Sequence, residues 1–181
     1  MSMEMTGKIE ASGGAFYVTD AKGNAQKVDL GTLMMMLNLD RVNNIDKQIE
    51  VQIQEIQQRN TLLNDLTAFM AECRAQKASS TGGDFGMGSK LAPSGRSYSD
   101  LWNQVVGGAW SNNTKDKDTK ANSWEANINA IKGKIDMLNN DSQMDNIKLQ
   151  NLLEKRSNAF EMATKVMDTN KQSVQSIIRN L

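Results

Sequence analysis

Apolar residues recur every seven positions in two long stretches, one in each half of the chain. The first series consists of Met35, Val42, Ile49, Ile56, Leu63 and Met70. The second series consists of Leu153, Phe160, Met167, Val174 and Leu181. A seven-residue repeat places side chains along one stripe of a slightly underwound α-helix. The pattern therefore predicts two long helices that pair along their apolar stripes.

The first helix is predicted over residues 28–78, with Asp29 as its N-cap, because Gly31 is the only helix-weakening residue in that stretch. A second stripe on this helix is partly polar and consists of Ile45, Gln52, Arg59, Leu66 and Cys73. Polar residues at such positions set the register of helix pairing at a cost in stability. Cys73 lies on this stripe, which favours a small buried hydrophobic residue over a catalytic thiol.

The second helix is predicted over residues 124–181, with Ser123 as its N-cap. Its apolar stripe is interrupted by the polar residues 139–142, which predict a bend or a change of packing partner. The intramolecular coiled coil is assigned to residues from both helices: Ile49, Ile56, Leu63, Met70, Ile128, Ile135 and Leu153.

The end of the second helix is predicted to carry a contact between subunits. Counted from the caps, over residues 29–78 and 123–180, it is longer than the first helix by about eight residues, or roughly 12 Å. Its apolar stripe continues to Leu181, where chains more often fray and become polar. We therefore assign self-assembly to Phe160, Met167, Val174, Ile177, Ile178 and Leu181.

The remaining segments have weaker patterns. Residues 1–27 favour a flexible leader, with a short strand over 15–19 followed by a turn as the alternative. Residues 79–123 form a Gly/Ser-rich linker and a small insertion. Within it, residues 98–106 predict a short amphipathic helix that is capped by Ser97 or Ser99 and ended by two glycines. Two of the three tryptophans lie here, which indicates that the insertion packs against some other part of the protein.

The predicted fold is therefore all-α. It is a long antiparallel helical hairpin with coiled-coil pairing, a variable, partly irregular middle insertion and a flexible N-terminus. Aromatic residues make up only 5% of the chain, so Leu, Ile and Met supply most of the apolar surface available for burial.

Composition excludes several functional classes. The 21 basic and 21 acidic residues balance, which argues against nucleic acid as the main partner. Histidine is absent from the sequence and cysteine occurs once, so the commonest general base and metal ligand are missing. We expect neither an enzyme nor a bound metal or cofactor. The longest apolar run, residues 33–37, is far too short for the roughly 20 residues of a membrane-spanning helix.

Several stretches of the two helices resemble a known family. Residues 28–37 read VDLGTLMMML and residues 60–66 read NTLLNDL, and the stronger likeness lies in residues 135–150 and 153–161. These stretches resemble the hydrophilic translocators of bacterial type III secretion systems, in particular the EspA-type filament and needle-tip subunits. The likeness covers about residues 28–78 and 128–181 and leaves the middle of the chain unaligned.

The resemblance implies a secreted structural protein on the bacterial cell surface. Such a subunit assembles on the type III needle into a tip complex or a hollow helical filament that supports effector translocation into host cells. Its implied partners are further copies of itself, the needle subunit, the hydrophobic translocators and a cytoplasmic secretion chaperone. Export would use an uncleaved signal within residues 1–27. The alternative is a cytoplasmic coiled-coil adaptor or chaperone-like binding module that is not exported.

Overall fold

The computed structural model describes residues 9–12, 15–19, 22–78, 86–108, 110 and 117–179. Three short strands, β1 (Ile9–Ser12), β2 (Ala15–Thr19) and β3 (Ala25–Val28), precede the first long helix, α1 (Leu30–Ala78). A short helix, α2 (Tyr98–Leu101), continues into a π-helical turn over Trp102–Val106, and α3 (Lys117–Arg179) is the second long helix. The two long helices pack against each other, which confirms the predicted all-α helical hairpin.

The N-terminal strands correct the flexible leader that the sequence favoured for residues 1–27. β2 pairs with both neighbours in an antiparallel sheet of order β1-β2-β3, with Ile9 opposite Val18 and Phe16 opposite Val28. The turn before β3 contains Gly23 at a positive φ of 85°, a conformation that glycine adopts without steric cost. β2 coincides with the strand over 15–19 that was the alternative for this segment, whereas β1 and β3, of four residues each, show too little alternation to be recognised singly. Antiparallel pairing between the strands supplies the hydrogen bonds that stabilise each of them, and such pairing is not visible in the sequence of a single strand.

Asp29 caps α1 as predicted. The Thr32 N–H donates to Asp29 Oδ1 at 2.9 Å, and the Thr32 hydroxyl donates to Asp29 Oδ2 at 2.6 Å. These two hydrogen bonds, the hydroxyl one first, lower the pKa of the Asp29 carboxyl because they stabilise its charged form. The cap thus satisfies an N–H group that the first helical turn leaves without an intrahelical partner.

α3 differs from the predicted second helix in two places. It begins at Lys117, so Ser123 is a buried residue inside the helix and not its N-cap. It also runs unbroken through residues 139–142. Asn, Asp and Ser each cost only a few tenths of a kcal/mol in a helix interior, and they do not stop a helix held by its neighbours. The half-buried Ser142 and the buried Asp145 continue the packed face in polar form.

The contacts divide the chain into two units, residues 53–147 and residues 1–52 with 148–181. In the unit of residues 53–147, α1, the insertion and α3 share one core. Its buried members are Leu66, Phe69, Cys73, Ala92, Tyr98, Leu101, Trp102, Trp124, Ile128, Ile131 and Leu138. Phe69 stacks on Tyr98 and on Trp110, at centroid distances of 4.5 and 5.9 Å. The packing of the insertion that its tryptophans predicted is confirmed.

Polar contacts fasten the insertion to α1. The fully buried Asp65 accepts hydrogen bonds from the Ser94 N–H at 3.0 Å and from the Ser94 hydroxyl at 2.5 Å. Lys90 forms an ion pair with Glu72, which lies about two turns beyond Asp65 on α1. Ser97 caps α2, because its hydroxyl oxygen accepts from the Asp100 N–H at 3.1 Å. The expected short helix and its cap are therefore both present.

In the other unit, the first part of α1 packs on the last part of α3. Val42, Ile45 and Ala159 are buried together, with Ile49 and Leu152 packed around them. Gly31 lies beside Asn170, and α3 continues past that residue to Arg179. The two helices are antiparallel here, because the start of α1 meets the end of α3.

Two helical glycines provide a matched test of this close approach. A Cβ on Gly31 would lie 2.6 Å from Asn170 Nδ2, whereas a Cβ on Gly133 meets nothing within 4 Å. We expect Gly133→Ala to raise the free energy of unfolding by about 0.5–1 kcal/mol, because alanine is the better helix former. Gly31→Ala should gain less or lose stability, as measured by urea denaturation followed by circular dichroism. Adding Asn170→Ala should restore the missing gain, and equal gains in both single variants would contradict the contact.

Candidate self-association surface

The C-terminal half of α3 has one buried and one exposed apolar face. The face turned toward α1 includes Ala159, which is 1% exposed, and the buried Ala163, with Leu152 packed against the same cluster. The predicted stripe lies one residue further along. Leu153, Phe160 and Met167 are 48%, 59% and 56% exposed. One residue corresponds to a rotation of about 100° around a helix, so this α3 stripe, Leu153–Phe160–Met167, lies outside the pairing face.

Leu153 therefore corrects the predicted set of intramolecular coiled-coil residues. The seven-residue spacing is right, but the phase on α3 is shifted by one position. The sequence interpretation placed Leu153 inside and assigned Phe160 and Met167 to contacts between subunits. The structure places the small alanines Ala159 and Ala163 on the inner face and leaves these larger side chains exposed. Alanines let a neighbouring helix approach closely, and that approach buries Val42 and Ile45 of α1. Leu152 packs where Leu153 was expected.

The other coiled-coil residues lie where a pairing stripe requires them. Ile128 is buried, and a second group of residues is half-buried: Ile49, Ile56, Leu63, Met70 and Ile135. The partly polar stripe of α1 is buried more deeply, since Ile45, Gln52, Leu66 and Cys73 are all buried. The two stripes of α1 together form its packed face.

The predicted self-assembly residues fall into two groups. Phe160 and Met167 are among the most exposed large apolar side chains that the structure describes. Val174, Ile177 and Ile178 belong to α3, but their side chains lie outside the described part, as does Leu181. For these four residues a role in assembly stays a prediction.

The surroundings of the α3 stripe are mixed. Arg156 lies three residues after Leu153 and four before Phe160, a spacing that puts it on the same side of the helix. Its Nε is 2.5 Å from Asp46 Oδ1, and both side chains are about half exposed. Met167 also lines a shallow groove together with Gly31, Thr32, Met35 and Val166. The stripe is thus an apolar surface with a charged pair at one side and a groove at its end.

Cys73 lies in the core and has neither the solvent exposure nor the lowered pKa of a reactive thiol. Its pKa is raised to about 12 from an ordinary 9.0, chiefly by burial and then by the nearby charge of Glu72. The thiol is therefore protonated at neutral pH, and a protonated thiol is a poor nucleophile. The reading of Cys73 as a small buried hydrophobic residue is confirmed.

We expect Cys73 of the folded protein to react slowly with dithionitrobenzoate at pH 8 and rapidly once urea unfolds the chain. Because folding raises this pKa, the stabilising contribution is full below about pH 9 and is lost as the pH rises toward 12. A Ser157→Cys variant, with a thiol at an exposed position, provides the fast-reacting control. Fast native reaction of Cys73 would contradict its burial.

The described residues contain no group of three or more His, Cys, Asp or Glu side chains placed to hold a metal ion. In that same part of the chain, every helix is too short in apolar sequence to cross a lipid bilayer. The absence of an enzymatic activity and of a cofactor stays a prediction from composition. Among the described residues, the α3 stripe is an exposed apolar surface that is available for contact with another chain.

Comparison with known proteins identifies no relative. The chain matches no protein-family model, no curated protein and no solved structure. The resemblance to type III hydrophilic translocators therefore rests on the sequence of residues 28–78 and 128–181 alone.

Proposed function

We propose that this chain is an extracellular structural subunit of a type III secretion apparatus. It self-assembles at the needle tip into a tip complex or a hollow helical filament that supports effector translocation into host cells. The observation that carries the proposal is the α3 stripe, an apolar surface on the outside of a helix whose other face is already packed. Two of the stretches that carry the family resemblance lie at this surface. Residues 153–161 include Leu153 and Phe160, and residues 135–150 precede them on the same helix.

The stripe has the form of a helix-pairing surface. Its members recur every seven residues, which is the spacing at which one helix meets another along its length. Exposed apolar residues that occur singly need no explanation, but residues aligned along one helix indicate an interaction site. A contact between two different surfaces of identical subunits does not close into a dimer and generates rings or helical filaments. Copies of this chain would grow in that way when the α3 stripe of one copy meets a different surface of the next copy, whereas a contact between two α3 stripes would close as a dimer.

The proposed partners follow from the proposed location. They are further copies of the chain, the needle subunit at the base of the assembly, the hydrophobic translocators at its end and a cytoplasmic secretion chaperone before export. A chaperone that covers the α3 stripe would prevent assembly inside the cell, because the same apolar surface cannot take part in both contacts.

Negative-stain electron microscopy of the purified full-length protein tests self-assembly. Filaments or rings are expected as the protein concentration rises, because association through a surface stripe depends on concentration. A species that stays monomeric over the whole accessible concentration range would overturn the proposal.

Export is tested separately, by deleting residues 2–20 and measuring the protein in the culture medium of a strain with an active type III apparatus. Loss of secretion is expected. A full-length chain that never leaves the cytoplasm would contradict the proposal and favour the coiled-coil adaptor or chaperone-like module.

A further inference from the structure

One ion pair between α1 and α3 differs from the others that the structure describes. Arg59 pairs with Asp145, and the Asp145 residue is 2% exposed. The other three described pairs, Lys77–Glu125, Lys90–Glu72 and Arg156–Asp46, all have side chains that are a third or more exposed. Arg59 also lies on the partly polar stripe of α1, seven residues before the fully buried Leu66. The Arg59–Asp145 pair is thus part of the helix interface itself.

Stability alone does not explain a buried ion pair. Removing two charges from water costs much of what their attraction returns, so well-packed apolar residues are often equally or more stabilising in the same place. Removing one partner is different, because it leaves a buried charge with nothing opposite it. Such a pair therefore penalises every arrangement in which the two groups do not meet.

The apolar stripes permit such arrangements. Because their residues repeat every seven positions, α3 can slide along α1 by seven residues and again place apolar side chains opposite one another. Sliding in one direction brings Asp145 level with Leu66. Sliding in the other direction brings Arg59 level with Leu138. Each slip buries a charge against leucine, in a core that the structure shows to be apolar at both positions.

We propose that the Arg59–Asp145 pair selects the register in which α1 and α3 pair. The apolar stripes supply the attraction between the helices, and the buried pair excludes the registers displaced by seven residues. The pairs Lys77–Glu125 and Arg156–Asp46 fit the same register, but water and salt screen exposed charges and leave them little power to discriminate. This inference is independent of whether the chain assembles on a secretion needle.

Spin-label distances between the two helices test the proposal. The labels are attached to cysteines introduced at the exposed positions Asn64 and Asn139, with Cys73→Ala removing the native thiol. The parent protein should give one distance. Arg59→Met with Asp145→Leu should keep its helix content and thermal midpoint and yet add a second distance population, because a slip of seven residues moves the labels about 10 Å along the axis.

Two controls make the result decisive. Arg156→Met with Asp46→Leu removes an exposed pair of the same kind and should leave one distance. Exchanging the charges, Arg59→Asp with Asp145→Arg, should also leave one distance because the pair is retained. A single parental distance in the Arg59→Met, Asp145→Leu protein would overturn the proposal, since the apolar stripes would then fix the register alone. Its unfolding would overturn it as well, because the pair would then be needed for stability.

Discussion

Replacing Phe69 with alanine is expected to lower the free energy of unfolding by about 3–5 kcal/mol, the usual range for a large aromatic residue removed from a core. Phe69 is fully buried and stacks on Tyr98 and Trp110, with Trp102 edge-on at a centroid distance of 6.4 Å. The substitution would leave a cavity between α1 and the insertion. That cavity could be filled only if α1 or the insertion moved. Urea denaturation followed by far-ultraviolet circular dichroism measures the loss.

Phe160 provides the matched control for this substitution. It is the same residue type, also lies in the middle of a long helix, and is 59% exposed. Phe160→Ala should change the stability of the monomer by no more than about 0.5 kcal/mol, because little buried surface is lost. Similar losses at both positions would show that the α3 stripe is packed inside the subunit and would remove the basis of the proposed function.

The second large effect is expected on assembly. Phe160→Asp combined with Met167→Asp should abolish filaments or rings while leaving helix content and monomer stability near those of the parent. Both side chains are exposed in the single chain, so the new carboxylates remain in water there. In an assembled interface the same carboxylates would be buried without partners, at a cost of several kcal/mol each. Sedimentation velocity at several concentrations measures the association.

Met162 provides the control for the assembly test. It lies on α3 between the two substituted residues and is 54% exposed, but it is two residues from Phe160 and therefore faces another side of the helix. Met162→Asp should assemble normally. Normal assembly of the Phe160→Asp, Met167→Asp protein would show that another surface joins the subunits, and failure of Met162→Asp would show that any added charge on α3 suffices.

The sequence predicted the two helices and their pairing because a seven-residue repeat that continues for four or five steps is a strong signal. It predicted the phase correctly on α1, where the inner stripes hold large residues such as Ile45 and Leu66. It wrongly placed Leu153 of α3 in the intramolecular coiled coil, because the inner positions of that half of the helix are Ala159 and Ala163. Spacing alone does not distinguish an inner stripe from an outer one, and at Leu153 side-chain size pointed to the wrong face. Phe160 and Met167, which were assigned to contacts between subunits, are exposed.

The local signals were reliable where a side chain acts on its own neighbours. Asp29 and Ser97 were recognised as caps because a cap depends on a contact three residues away. A strand over 15–19 was the alternative to a flexible leader, but the pairing of the three N-terminal strands and the start of α3 at Lys117 were not predicted. Strand pairing joins three weak segments, and a helix can begin before the first apolar residue of its pattern when its backbone hydrogen bonds extend that far.

The grouping of all three tryptophans has a practical consequence for measuring this protein. Trp102, Trp110 and Trp124 are in edge-to-face contact within the unit of residues 53–147, with centroids 4.7 and 5.7 Å apart. Intrinsic fluorescence therefore reports on that unit, while the unit formed by the ends of the chain contributes no tryptophan signal. Circular dichroism detects both. If the two optical transitions occur at different denaturant concentrations, the chain unfolds in two stages and a single free energy of unfolding does not describe it.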